Sequence, residues 1–192
     1  EDFDINGVGQ GNTTYNESDT ENHGDSDYRP GTGVDLYKKA SGIIVGYNQA
    51  GEWLEYTVKV AKTGTYAMNA SVASANSTSS FKLSMDGKDI TEEIAVPAAT
   101  EGEDNYDEYN TVEAKVSLTE GEHILRFTVT GDWMDIDYIE FCEGETCNTT
   151  GLHKSIPAAV RNTNSPRLLK KGNTLFIEKN GKRFDLTGHR IK

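Results

Sequence analysis

The sequence lacks the features that mark several large classes of protein. It has only two cysteines and four prolines in 192 residues, and no apolar run is long enough to span a membrane as a helix. Helical periodicity is missing as well. A composition with 35% hydrophobic residues and 19 glycines favours a turn-rich, all-β domain with one core. No charged and apolar leader is found, so we expect any signal peptide to lie outside this sequence.

Positive charge is scarce in most of the chain. Residues 1–147 contain 9 Lys and Arg against 29 Asp and Glu, a net charge of −20, whereas residues 148–192 contain 10 against 2, a net charge of +8. This split predicts an acidic body (1–147) and a basic appendage (167–192). The stretch 148–166, which has two prolines and no periodicity, is predicted to be a linker. The acidic body would repel a phosphate backbone, so nucleic acid is not an expected partner.

The two cysteines, Cys142 and Cys147, lie close together at the end of the acidic body. Common zinc sites need four ligands, and no second pair of Cys or His stands nearby. We therefore favour a disulfide that closes a small loop, and hence an oxidising compartment, over a pair of free thiols.

Alternation of apolar and polar residues predicts six strands, separated by turns such as Asp86-Gly87 and Glu120-Gly121. They are Trp53–Val60, Thr65–Ala73, Phe81–Met85, Thr111–Leu118, His123–Thr130 and Asp135–Cys142. Many short strands at this spacing favour a β-sandwich. The last twenty residues predict a two-stranded hairpin that turns at Asn180-Gly181. Because a lone hairpin is only marginally stable in water, we expect it to dock on, or be recognised by, something else.

Two aromatic residues stand out in the segment VGYNQAGEWLEY at residues 45–56. Tyr47 and Trp53 flank a turn that leads into an alternating strand, in which Leu54 begins the apolar face. Trp53 is therefore predicted to lie on the polar, solvent-facing side of that strand. An aromatic ring outside the core is a flat platform for a ligand with an apolar face, such as a sugar ring.

Five segments in this order resemble the family 6 carbohydrate-binding modules, which are β-sandwich appendages of polysaccharide-degrading enzymes. They are EDFD at the start, DYRPGTGVDL at 27–36, VGYNQAGEWLEYTVKVAKTGTYAMNASVAS at 45–74, YDEY at 106–109 and GDWMDIDYIEF at 131–141. The resemblance spans roughly residues 1–142. It implies a jelly-roll sandwich whose role is binding, not catalysis.

The resemblance also implies which residues would bind the sugar, in a cleft among the loops at one end of the sandwich. Tyr47 and Tyr106 would clamp one sugar ring, with Tyr106 standing where the family usually has Trp. Asp135 stands where the family usually has Asn, and Asp35 would lie at the rim. Since a carboxylate accepts but does not donate, the cleft should favour ligand hydroxyls that donate. Tyr109 is interpreted as a packing residue.

In some relatives a second cleft lies on the concave sheet face around the residue that corresponds to Trp53. The carboxylate that accompanies it there is replaced here by Ser84. Trp53 is therefore either part of a second site or a packing residue.

A structural Ca²⁺ is the last feature that the resemblance implies. Its oxygens would come from Glu1 and Asp137, with further ligands from the loop that carries Asp25, Asp27 and Arg29. Calcium binds six to eight oxygens, and such an ion would order the long polar loop at 6–33. The alternative is that these acidic residues only keep the domain soluble.

The leading hypothesis is a monomeric, secreted or cell-surface module that binds polysaccharide. By analogy the ligand would be xylan or a related β-linked hemicellulose, and the partner an appended catalytic domain. The C-terminal FDLTGHRIK resembles sorting domains of secreted proteins from the Bacteroidetes and Fibrobacteres branch, which implies export.

Two other function classes stay open. A glycoside hydrolase would need two carboxylates about 5 to 9.5 Å apart, for which Glu52, Glu55, Asp135 and Asp137 are candidates. A protein-binding adhesion domain is the third class, because the sandwich fold carries many such functions.

Overall fold

The computed structural model describes residues 1–5, 13–18 and 20–147 and, after residue 147, four strands. The chain divides into two compact units, Glu1–Ile156 and Pro157–Lys192. The predicted linker at 148–166 lies outside the described residues, so its bounds stay a prediction. Across the described ranges, no helix has the length and apolar character needed to cross a bilayer.

The first unit is a sandwich of two antiparallel sheets, as predicted. The first sheet contains, in spatial order, β1 (Tyr15–Asn16), β4 (Trp53–Val60), β10 (Gly121–Gly131), β6 (Ser80–Met85) and β7 (Lys88–Asp89), and β8 (Ile94–Ala95) also pairs with β6. The second sheet contains β2 (Leu36–Lys39), β3 (Gly42–Asn48), β11 (Met134–Glu143), β5 (Gly64–Ala73) and β9 (Asn110–Leu118). All six predicted strands are present, with ends that differ by at most two residues.

The core lies between the two sheets, where the apolar faces of their strands meet. Phe81 on β6 and Phe127 on β10 stack with ring centroids 4.7 Å apart. Around them pack buried aliphatic side chains from both sheets, including Leu36, Val45, Leu54, Met68, Val72, Leu83, Leu125 and Met134. Burial of apolar area of this kind is the main favourable term in folding.

One expectation about β4 is wrong. Leu54 and Val60 are buried, as the apolar face predicts, but Glu55, which alternation places on the same solvent-facing side as Trp53, is also fully buried, at 0% exposure. The reason is Arg126, which lies directly opposite Glu55 on β10 and donates from Nε to the Glu55 Oε1 at 2.8 Å. A buried carboxylate needs such a partner, and local alternation does not reveal it.

The predicted disulfide between Cys142 and Cys147 is formed. It joins the end of β11 to the residues that follow it, near the boundary where the acidic body ends.

The second unit contains a four-stranded antiparallel sheet, not a lone hairpin. In it β12 (Arg167–Lys171), β13 (Thr174–Lys179), β14 (Lys182–Phe184) and β15 (Arg190–Ile191) are neighbours in chain order. The register pairs Lys179 with Lys182, which agrees with the predicted two-residue connection; those two residues lie outside the described ones. The added strands supply hydrogen-bond partners to both edges of a hairpin that would otherwise be marginal.

Candidate functional site

The candidate site is a cleft of about 580 Å³ built from the second sheet and three neighbouring loops. Strands β2, β3 and β11 contribute side chains to it, as do the loops between β5 and β6, between β8 and β9, and between β10 and β11. The lining residues are Tyr37, Lys39, Tyr47, Asn76, Asp104, Tyr106, Trp133 and Asp135. Three of the predicted sugar-binding residues, Tyr47, Tyr106 and Asp135, thus line one cleft.

Tyr47 is the most exposed of the large aromatic residues in the described part of the chain, at 52%. Its ring lies nearly parallel to that of Tyr37, with centroids 5.7 Å apart, and its backbone is in the left-handed region with φ of 53°. The preceding Gly46 makes this packing possible, because a Cβ there would lie 2.9 Å from the Tyr37 ring. An exposed ring with a strained backbone is a feature typical of functional sites.

Tyr106 is held in place from two sides of the cleft. Its hydroxyl accepts a hydrogen bond from the Asn76 side chain at 3.1 Å. The adjacent Asp107 forms an ion pair with Lys39 on β2, with an N–O distance of 2.5 Å. Because β2 and β9 are opposite edges of the second sheet, the loop before β9 crosses the end of that sheet and is fastened at its far side.

Asp135 lies on β11 opposite Ala73, and only 6% of it is exposed. Burial raises the pKa of its carboxyl group to about 7, although Lys39 and a hydrogen bond from the Tyr47 amide act in the opposite direction. Part of the population therefore keeps this proton at neutral pH, and the protonated form donates as well as accepts. A Cβ at Gly46 would lie 2.8 Å from the Asp135 Oδ1, so glycine is needed beside this carboxyl group.

Asp35 is placed differently from the rim position that the resemblance implies. It is buried and does not line the cleft, and its Oδ1 accepts a hydrogen bond from the His23 amide at 2.5 Å. The His23 ring in turn lies 6.4 Å from that of Tyr47. Asp35 thus holds the segment that carries His23, and His23 in turn lies beside a cleft residue.

Sequence reasoning missed five of the eight lining residues, which are Tyr37, Lys39, Asn76, Asp104 and Trp133. Trp133 directly precedes β11 and is 41% exposed. The signal for it was available, because a large aromatic residue stands two positions before Asp135 in the segment GDWMDID. Tyr37 and Lys39 belong to a strand that the sequence pattern did not predict.

Trp53 lies on β4, in the other sheet, and does not line the cleft. The Arg126 guanidinium lies over its ring, 3.8 Å from the centroid, in a cation–π contact. Ser84, the residue in place of the expected carboxylate, is buried opposite Arg126 on β6. One face of the indole is therefore covered by the protein itself.

The residues predicted to bind calcium are divided between two places. Burial raises the pKa of the Glu1 side chain, and the nearby carboxylates of Asp2 and Asp137 add to the effect. Asp25 instead accepts a hydrogen bond from the Lys38 amide at 2.7 Å, and Asp27 is exposed. Among the described residues these four do not bring three ligand atoms within 4.8 Å of one another. Asp25 is engaged elsewhere, and the carboxylates of Glu1 and Asp137 are of the oxygen-ligand type that Ca²⁺ prefers.

The carboxylates considered for a hydrolase do not meet in the cleft. Glu52 is buried and accepts hydrogen bonds from the amides of Gln49 and Ser18 at 2.7 and 3.2 Å. Glu55 is paired with Arg126, and Asp137 lies near Glu1. Of the four candidates only Asp135 lines the cleft.

Comparison with known families agrees with the resemblance seen in the sequence. The profile of the family described as carbohydrate binding module (family 6) matches residues 26–143. The chain belongs to this family. The match leaves out the first 25 residues, which include Glu1. A comparison with curated proteins found no match.

Solved family 6 modules have the same fold. The C-terminal module of a marine laminarinase from Zobellia galactanivorans is 21% identical with a TM-score of 0.53, covering 57% of this chain and 88% of its own. A module of Cellvibrio mixtus lichenase 5A, solved with cellotriose, is 24% identical with a TM-score of 0.51, covering 58% and 86%. A module from Clostridium cellulolyticum, solved with xylose, is 23% identical with a TM-score of 0.50, covering 58% and 88%.

Proposed function

We propose that this family 6 module binds plant cell-wall polysaccharide without cleaving it. The observation that carries the proposal is the cleft in which Tyr47, Tyr106 and Asp135 stand together. Membership of a carbohydrate-binding family supports the same class of ligand.

The chemistry of the cleft suits a sugar. The C–H groups on one side of a pyranose ring are slightly positive and pack on the negative face of an aromatic ring. Tyrosine adds a hydroxyl that can bond to the ligand, and a carboxyl group accepts strong hydrogen bonds from sugar hydroxyls. Tyr47 and Tyr106 supply the rings, and Asp135 supplies the carboxyl group.

Xylan or a related β-linked hemicellulose is the ligand we propose, with the module serving to hold an appended catalytic domain on its substrate. The support for a β-linked ligand is indirect, since fold relatives of this module were solved with xylose and with cellotriose. We propose that the module acts as a monomer.

Affinity electrophoresis tests the proposal directly. In native gels that contain soluble xylan, β-glucan or no polymer, we expect retardation by xylan relative to the polymer-free gel. No retardation by any polysaccharide would contradict the proposal and favour a protein-binding adhesion domain. New reducing ends after incubation with xylo-oligosaccharides would show catalysis and overturn the non-catalytic assignment.

Calcium is proposed as a structural ion held by Glu1 and Asp137. It would tie the start of the chain to β11 and take no part in chemistry. Because an ion that binds only the folded state stabilises it, we expect EDTA to lower the melting temperature. The Asp137→Asn variant should lose this sensitivity, whereas Asp25→Asn should keep it. An unchanged melting curve of the wild type after thorough chelation would contradict the site.

Export to the cell exterior or the cell surface is also proposed. It is supported by the disulfide between Cys142 and Cys147 and by the basic sheet of the second unit, whose sequence resembles sorting domains. In a host with that export route, the full chain should reach the culture fluid or the outer membrane, and a version that ends at residue 156 should not. Equal export of both would contradict a sorting role.

A further inference from the structure

Trp133 is an exposed aromatic residue in the cleft with an unfavourable backbone conformation. Its indole is 41% exposed, and its φ is 65°, in the left-handed region. A bulky residue other than glycine is rare in that region, because its Cβ approaches the backbone too closely. A strained, exposed tryptophan persists only where the surrounding structure holds it.

A buried polar network holds the Trp133 backbone in this shape. Its amide donates to the Asn48 carbonyl at 2.7 Å, and its carbonyl accepts from the hydroxyls of Ser74 at 2.7 Å and Ser79 at 3.0 Å. Both serines are almost completely buried. The Asn48 side chain also donates to the carbonyls of Val45 and Met134. Buried hydroxyls and amides destabilise a fold unless they are bonded, and here two buried serine side chains bond the Trp133 backbone while the Asn48 side chain fixes the strand ends beside it.

The indole stands beside the ring of Tyr47 at a right angle. The two ring centroids are 6.1 Å apart, with 84° between the planes. Tyr47 is itself in the left-handed region, with φ of 53°. Two neighbouring aromatic surfaces, each held by an unusual backbone, thus face different directions at one end of the second sheet. A single sugar ring between Tyr47 and Tyr106 would leave the exposed part of Trp133 unused.

We propose that Trp133 is the platform for a second sugar unit, next to the unit bound by Tyr47 and Tyr106. This inference rests on the proposed function and specifies its ligand: an oligosaccharide segment of at least two units, not a lone sugar. Trp133 then determines how strongly affinity depends on ligand length. If Trp133 only packed against Tyr47, its loss would weaken ligands of every length by the same factor.

Calorimetric titration with xylo-oligosaccharides of increasing length separates the two roles. We compare the wild type with Trp133→Gly, because glycine tolerates the positive φ and removes the ring, and with Trp133→Phe, which keeps a smaller platform. We expect the glycine variant to lose much less affinity for the shortest detectable ligand than for longer ones. Longer ligands should bind roughly tenfold more weakly, as the loss of one aromatic platform predicts. The phenylalanine variant should recover most of that loss.

A fluorescence measurement gives the same answer from a protein in which Trp133 is intact. The chain has only two tryptophans, so Trp53→Phe leaves Trp133 as the single indole. Its emission should shift when long oligosaccharides bind and should stay unchanged with the shortest ligand that binds. In the matched Trp133→Phe variant, the emission of Trp53 should not respond to any ligand.

Two results would overturn the inference. One is an equal loss of affinity for all ligand lengths in Trp133→Gly, or no loss for any of them. The other is a Trp133 emission that does not change when long ligands bind. In either case binding by the wild type leaves the proposed function intact. Failure of the wild type to bind any oligosaccharide or polysaccharide would contradict both.

Discussion

Tyr47 and Trp53 lie on opposite sides of one turn, but they end in different sheets and in different surroundings. Tyr47 lies near the end of β3 in the second sheet. It is 52% exposed and lines a cleft together with Tyr106 and Asp135. Trp53 opens β4 in the first sheet, with the Arg126 guanidinium 3.8 Å from its ring centroid. The difference is made by a cation on the neighbouring strand, not by the aromatic residue itself.

Whether an aromatic side chain can bind a ligand depends on the side chains that surround its ring. A ring face is available only if no side chain of the protein occupies it. Arg126 occupies a face of Trp53 because it also pairs with the buried Glu55, and that pairing fixes its position. In the cleft the one lysine, Lys39, is directed instead to Asp107. Local charge pairing thus decides which aromatic surface stays open.

Loss of either cleft tyrosine should have the largest effect on binding. Tyr47→Ala and Tyr106→Ala each remove one of the two rings between which the sugar would lie. Removal of an aromatic stacking partner costs about 1 to 3 kcal/mol, which is roughly 5- to 150-fold in affinity. We expect each variant to abolish retardation in xylan gels. Thermal melts should confirm folding, and a folded variant that is retarded like the wild type would show that the missing tyrosine does not bind the polysaccharide.

The next largest effect should be a loss of stability when Arg126, the cation over the Trp53 ring, is replaced. Arg126→Met leaves the Glu55 carboxylate, with 0% exposure, without its closest cation. Breaking a buried ion pair on one side destabilises a protein by about 3 to 5 kcal/mol. Urea unfolding should show a loss of this order, with retardation by xylan unchanged while the protein is folded.

The double variant Glu55→Gln with Arg126→Met is the matched control for that prediction. It removes both charges, so it should recover a large part of the stability. If Arg126→Met is as stable as the wild type, the ion pair does not explain the burial of Glu55. If the variant instead gains affinity for xylan, the covered face of Trp53 is a hidden site.

Much of the fold could be predicted from local pattern, and the exceptions have local causes. Strands such as β4 and β10 alternate clearly, so the sequence predicts them almost to their ends. The strands β2 and β3 were missed because Lys38 and Lys39 stand together in one of them and glycines interrupt the other. Those two strands carry Tyr37, Lys39 and Tyr47, which are three of the eight residues that line the cleft.

Features that depend on register could not be predicted from the sequence. The contact of Arg126 with Glu55 and Trp53 exists because β4 and β10 pair in one particular alignment. No local pattern encodes that alignment. The position of Asp35 in the interior is a similar case, since its partner His23 belongs to an irregular segment. Resemblance to the family identified three of the cleft residues, Tyr47, Tyr106 and Asp135, whereas only the structure shows what surrounds them.

A smaller effect is expected at the ion pair that fastens the Tyr106 loop. Asp107→Asn removes the charge that Lys39 faces, while Lys39 itself stays in the cleft. Exposed ion pairs contribute about 0.2 to 1 kcal/mol, so affinity should fall by at most about fivefold. The exchanged pair, Lys39→Asp with Asp107→Lys, should recover part of this loss. No recovery would mean that Lys39 contacts the sugar directly and does not act through the loop.

The smallest effect on binding should come from replacing Trp53. Trp53→Ala removes a half-buried ring on β4, in the sheet that does not form the cleft. The contact with Arg126 is lost, so the melting temperature should fall slightly. Retardation by xylan should change by less than about twofold, within the range expected for a residue outside the binding site. Because Trp53→Phe keeps an aromatic ring beside Arg126, it should match the wild type in both measurements. If Trp53→Ala alone abolished retardation while Tyr47→Ala did not, the binding site would lie on the first sheet, and Arg126 would have to move to admit the ligand.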